Sequence, residues 1–233
     1  AGNLRETGKR IENVWRNGGE NFEGIGSTLE SFDVNPFMYE YVLEKAWESR
    51  LSDDQWIEAL ADRRYGCVNE QARAAWRDLL DKVYTEHARL GQGMLTNARP
   101  TLKGHGNWTT NPRIAYRNED LFGIWETLLG AGEGSSRDAY VFDVVNLGRQ
   151  VLGNYFGRVR DEFARAYDAK DTLLLAWKGH EMLEILSDLE LLLSCHPTFS
   201  FGRWIQGAES FGEQTEEKAY YKKNARTLLT TWG

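Results

Sequence analysis

The chain has 233 residues and carries a net charge of −7, with no block of Lys and Arg to offset it. That balance argues against nucleic-acid binding through phosphate neutralisation. No apolar run reaches bilayer length and no leader opens the chain, so a soluble protein with no membrane span is expected. Nine Trp, ten Tyr and ten Phe are many for a mostly helical sequence; they suit a broad packed core or aromatic platforms for a flat ligand.

Residues 1–34 are rich in Gly and Asn, and only Leu4 to Trp15 has helical spacing. The segment reads as loop and strand ends belonging to something larger, and residues 35–233 as a separate all-helical domain. Asn35 suits an N-cap and Pro36 the first helical position. Phe37, Met38, Tyr41, Val42, Ala46 and Trp47 follow on one helical face. Ser52 and Gln55 form a capping box for a second helix, which Gly66 ends. Asn69 caps a third, with Ala72, Ala75, Trp76, Leu79, Leu80 and Val83 on one side.

Gly91 to Pro112 is a long irregular stretch, of the kind that is functional when it occurs inside a compact domain. Helices resume from about Asn118 to Leu129. A long apolar stripe from Val141 to Phe163 then pairs with a Leu-rich antiparallel partner from Asp171 to Cys195, stopped by His196-Pro197. Two further helices, about Phe201 to Phe211 and Glu213 to Thr231, complete the chain. The fold class expected is mainly α: an antiparallel, bundle-like domain preceded by a short loop and strand remnant.

Few side chains have the spacing that chemistry needs. His87, His105, His180 and His196 are dispersed, and His180-Glu181 lacks a second His one turn on, so no metal is expected. Gly24-Ile25-Gly26 lacks the rest of a dinucleotide fingerprint, no Gly-x-Ser-x-Gly elbow occurs, and no cofactor is expected. Cys67 and Cys195 show no paired spacing and read as free, buried thiols. Glu30, following the flexible Gly24 and Gly26, is the best-placed carboxylate. Glycoside hydrolysis needs two carboxylates, one to protonate the leaving oxygen and one to attack or to activate water. Arg99, Trp108 and Tyr116 on the irregular stretch would supply a cation and stacking faces for sugar rings. Trp108 reads equally well as a core anchor of that loop.

The run Gly24-Ile25-Gly26-Ser27-Thr28-Leu29-Glu30, with Asn35-Pro36 and Tyr39, resembles the nucleophile segment of the α-N-acetylglucosaminidases, glycoside hydrolase family 89. Arg63-Arg64-Tyr65-Gly66, Ala75-Trp76-Leu79-Leu80, Val83-Tyr84, Arg99-Pro100-Thr101-Leu102, Trp125-Leu128-Leu129 and Tyr221-Asn224-Arg226-Leu229-Thr230-Trp232-Gly233 agree in the same order. The resemblance implies a retaining exo-glycosidase that removes terminal α-linked N-acetylglucosamine from glycosaminoglycan, mucin-type or other glycans. It implies Glu30 as nucleophile; Asn35, Arg99, Trp108 and Tyr116 are expected to bind the substrate. It further implies that residues 1–34 are the end of a (β/α)₈-type barrel lying mostly upstream, and a secreted, periplasmic, lysosomal or vacuolar location. The family's acid/base also lies upstream, so the chain alone is expected to be an inactive part of an enzyme. Ser31-Phe32 stands where the family has Gly-Ile. The competing reading is a non-catalytic helical module that binds glycans or another subunit.

Overall fold

Capping residues and apolar spacing divide the sequence into helices, and a computed structural model shows where each begins and how it packs. It describes residues 2–27, 36–47, 51–85, 102, 114–132 and 137–230. These residues hold nine α-helices: α1 Leu4–Asn17, α2 Pro36–Lys45, α3 Asp53–Tyr65, α4 Glu70–Asp78, α5 Asn118–Ala131, α6 Asp138–Ala169, α7 Thr172–Ser194, α8 Phe201–Glu209 and α9 Thr215–Thr230. Extended pairing among them is confined to one isolated antiparallel bridge, Asn3 with Thr85. The mainly helical class is as expected. The domain boundary expected between residues 34 and 35, and the N-cap expected at Asn35, lie outside the described residues.

Local chemistry sets the helix ends. The Ser52 hydroxyl accepts from the Gln55 N–H at 3.2 Å while the Gln55 side chain accepts from the Ser52 N–H at 3.0 Å, closing the capping box. Gly66 ends α3 at φ 92°, a left-handed position that a side chain would resist. Asn69 and Asp171 cap α4 and α7 through the N–H groups of Ala72 and Leu174.

The helices form two compact units. The first is drawn from Ala1–Arg89 and Ile114–Arg137, the second from Leu90–Arg113 and Asp138–Gly233. In the first, Leu4, Tyr41, Ile57 and Leu60 are fully buried. Phe37 lies against the rings of Trp56, Trp76 and Tyr84 at centroid distances of 5.5, 5.4 and 4.4 Å. Rings at these separations contribute beyond the apolar area they bury. Helices α3 and α4 run antiparallel, joined by Arg73 to Asp62 (2.6 Å) and Arg77 to Glu58 (2.5 Å).

In the second unit α6 and α7 form an antiparallel hairpin, turned through Lys170 at φ 58°. Its centre is Val159, Ile185 and Leu189, with Leu152, Tyr155, Phe156 and Met182 packed around them. Lys178 joins α7 to Glu162 of α6 at 2.7 Å and also pairs with Glu181, which accepts from the Tyr155 hydroxyl. Helices α8 and α9 form a second hairpin, in which the Trp204 indole donates to the Ala225 carbonyl (3.2 Å) and Lys222 pairs with Glu209 (2.8 Å).

Two sequence expectations fail on burial. Helix α2 stops at Lys45, so Trp47 leaves the helical face assigned to it and is 86% exposed. Cys67 and Cys195 are free thiols but exposed, because each falls just past a helix end and not on a core face. Helix α7 is apolar on two sides. Ile185 and Leu189 face α6, while Leu173, Trp177, Leu183 and Leu191 are exposed.

Candidate functional site

Contacts within the first unit gather one end of each of several helices at a single pole. Helices α1 and α2 run in the same direction: Gly2 abuts Met38, Gly8 abuts Tyr41, and the Trp15 indole donates to the Lys45 carbonyl at 3.2 Å. Helix α5 runs against α4, because the carbonyl of Ala131 at its end accepts from Asn69 and Tyr65 at the start of α4 and the end of α3. The start of α5 therefore lies beside the end of α4, where Asp120 acts on the Lys82 ammonium. At that same end the Leu4 N–H donates to the Tyr84 carbonyl at 3.4 Å, and Thr85 bridges Asn3.

Described residues near this pole flank, along the chain, the segments that bear candidate residues. Pro36 begins α2 directly after the segment with Glu30 and Asn35. Thr85 precedes, and Ile114 follows, the stretch with Arg99 and Trp108. Tyr116 is half-buried two residues before α5. Of the candidates named from sequence, only Tyr116 is described; Glu30, Asn35, Arg99 and Trp108 lie outside the described residues.

Charged groups brace the pole from behind. The Arg5 guanidinium reaches both Asp54 and Asp81 at 2.8 Å, and these bonds, Asp81 first, raise its pKa above the ordinary value. The buried Tyr41 hydroxyl donates to Asp53 at 2.6 Å; burial first, then that carboxylate, pushes its pKa upward. Lys45, also buried, lies 3.8 Å from Asp53 and donates to the Leu51 carbonyl at 3.2 Å. These groups satisfy one another, and their arrangement is that of a support. Among the described residues no cluster of His, Cys, Asp and Glu is arranged to hold a metal, and no helix is long and apolar enough to cross a membrane.

Sequence reasoning missed the turn that shapes this end. Leu79–Val83 leaves the α-helical pattern for a wider π-turn, in which the Tyr84 N–H donates to the Leu79 carbonyl at 2.9 Å. The stripe through Leu79, Leu80 and Val83 looks like ordinary helix in sequence, and no residue type marks the wider turn.

A family model described as "Alpha-N-acetylglucosaminidase (NAGLU) C-terminal domain" matches residues 56–233. The chain belongs to this family. The α-N-acetylglucosaminidase of Homo sapiens is 28% identical over 214 residues, covering 90% of the present chain and 28% of the human protein. A family 89 glycoside hydrolase of Clostridium perfringens, solved with its substrate GlcNAc-α-1,4-galactose, superposes on the whole chain with a TM-score of 0.89 at 25% identity, using 27% of its own length. The same family's structure from that organism with PUGNAc gives a TM-score of 0.89 at 27% identity, again over 100% of this chain and 27% of the other. The chain thus corresponds to the helical C-terminal domain of family 89 α-N-acetylglucosaminidases and spans just over a quarter of the length of these relatives.

Proposed function

We propose that, within a complete polypeptide, this α-N-acetylglucosaminidase domain helps to form the active site of a retaining exo-glycosidase that releases terminal α-linked N-acetylglucosamine. The observation carrying the proposal is the family match over residues 56–233, together with the superposition of the whole chain on an enzyme solved with a GlcNAc-α-1,4-galactose substrate.

In this reading Glu30 attacks the anomeric carbon and the aglycone oxygen leaves with a proton from a carboxylic acid elsewhere in the polypeptide. That acid, now a carboxylate, takes a proton from the water that hydrolyses the glycosyl-enzyme. The two carboxyl groups of a retaining enzyme stand about 5 Å apart, which leaves no room for water between nucleophile and sugar in the first step. Arg99 and Asn35 hydrogen-bond the sugar, and Trp108 and Tyr116 cover its apolar C–H faces.

The test is Glu30→Gln in the complete polypeptide, assayed on an aryl α-N-acetylglucosaminide. Turnover falls on the order of a thousandfold or more, as for loss of a covalent nucleophile, with the fold and melting temperature retained. Turnover within tenfold of the parent would reject Glu30 as nucleophile.

A further inference from the structure

We infer that the outward side of α7 is a docking surface for a second copy of this chain, which lays its own α7 antiparallel across a twofold axis. Helix α7 turns Ile185 and Leu189 inward, where they pack with Val159 of α6. On its opposite side Leu173, Trp177, His180, Glu184, Ser187 and Leu191 follow at alternating spacings of four and three residues. That is the period of a seam between two helices. All six are exposed, Leu173 at 85% and Leu191 at 71%. A surface with this much uncovered apolar area marks an interaction site, and the order of size and charge along it decides the partner.

A twofold axis at the level of Met182 sets residues equally far before and after it against each other. Leu173 then meets Leu191 of the second copy, Trp177 meets Ser187, and His180 meets Glu184, each contact occurring twice. Leu173 and Leu191 are about five turns apart, or about 27 Å along one line of the helix surface. Both ends of the seam therefore close on a pair of leucines. Ser187 is small, and its hydroxyl donates to the Leu183 carbonyl of its own helix at 3.1 Å, so it leaves room for the facing indole. The Trp177 ring is already steadied from its own chain. The Lys178 ammonium, held by Glu162 and Glu181, lies 4.8 Å from the ring centre.

Charge selects the antiparallel arrangement. His180 and Glu184 lie 3.3 Å apart within one helix, and across the axis the imidazole of each copy faces the carboxylate of the other. Parallel copies in register would set Glu184 against Glu184, and like charges brought face to face at an interface are costly. The other acids of α7 meet no acid in the antiparallel pair: Glu181 faces Leu183, Asp188 faces Ala176 and Glu190 faces Leu174. Sliding one copy by a heptad sets Leu173 against Glu184 or carries it past Ser194, where α7 ends. The register centred on Met182 alone joins the two terminal leucines.

The experiment measures the mass of the complete polypeptide by sedimentation velocity across the micromolar range. The parent sediments as a dimer. Leu191→Glu raises the dimer dissociation constant about tenfold or more, with far-UV circular dichroism unchanged because Leu191 lies outside the core. Charge reversal tests the facing pair apart from the leucines. His180→Glu sets two acids against each other across the axis, and Glu184→Lys sets a lysine against a histidine, so each variant alone dimerises more weakly. Mixed in equal amounts they recover the dimer, because a carboxylate at 180 now faces an ammonium at 184. Orientation is read with the exposed Cys67 and Cys195 replaced by Ser: Leu173→Cys and Leu191→Cys join by a disulfide when mixed, and Leu173→Cys alone does not. A monomeric parent, as where the rest of the polypeptide covers this side of α7, overturns the inference. So does a dimer unmoved by Leu191→Glu. If Leu191→Glu does not fold, the charge variants decide, and their failure to recombine overturns the inference as well.

Discussion

Glycine inside a helix is ordinarily a site for stabilisation, yet Gly8→Ala is expected to destabilise this protein. Gly8 lies in the middle of α1, and replacing a mid-helix Gly by Ala gains about 1 kcal/mol where space allows. Space is lacking here, because an added Cβ overlaps the Tyr41 hydroxyl and comes within 3.3 Å of Asp53 Oδ1. The hydroxyl cannot swing aside freely: its ring is fully buried, stands edge-on to Trp56 at 4.9 Å and donates to Asp53 at 2.6 Å. Breaking a buried hydrogen bond to a carboxylate costs about 1.5–3 kcal/mol, and forcing a methyl into a filled core costs about 1–3 kcal/mol. Set against the helical gain, the net loss is about 1.5–5 kcal/mol. Urea unfolding followed by tryptophan fluorescence reads it as a fall of about 1 M or more in the midpoint of the first unit. In Gly8→Ala/Tyr41→Phe the obstructing oxygen is gone and the methyl meets the ring carbon and Asp53 Oδ1, each at 3.3 Å, so part of the loss returns. A Gly8→Ala midpoint at or above that of the parent would refute the steric reasoning.

Two further predictions concern charge and thiols. Arg73 holds Asp62 through two bonds, at 2.6 and 2.9 Å, and this lowers the Asp62 pKa below the ordinary carboxylate value. The stability so gained is fully present above the pKa of the unfolded chain, about 3.9, and is lost as pH falls through the lower folded value. Asp62→Asn should therefore be less stable near neutrality and show a shallower loss of stability in acid; parallel acid limbs for variant and parent would contradict this. Cys67 and Cys195 are both exposed, so an aromatic disulfide reagent should titrate two thiols in the native protein, as in denaturant. A native titre below two would mean that at least one is covered.

Helix starts and stops were the most legible part of the fold, because they depend on neighbours in sequence. Ser52 with Gln55, Asn69, Asp171 and Gly66 mark helix ends through bonds spanning three or four residues, and each does so as its residue type dictates. Burial was less legible where a helix offers two apolar sides. The Leu-rich run from Thr172 to Ser194 does not reveal which leucines face α6, and Leu173 and Leu183 are exposed while Leu189 is buried. Of the candidate residues named from sequence, Tyr116 alone is described, two residues before α5, and spacing could not show that the start of α5 lies beside the end of α4.

The sequence by itself determined the helical class, the capped helix ends and the family, since capping, periodicity and ordered motifs are written along the chain. Only the tertiary structure decided that α1 and α2 run in the same direction, that α5 runs against α4, and that a π-turn brings Tyr84 onto Phe37. The reason is physical: these relations join residues such as Leu4 and Tyr84, far apart in the chain. They arise when apolar faces find their partners, and no local pattern of residues encodes that choice.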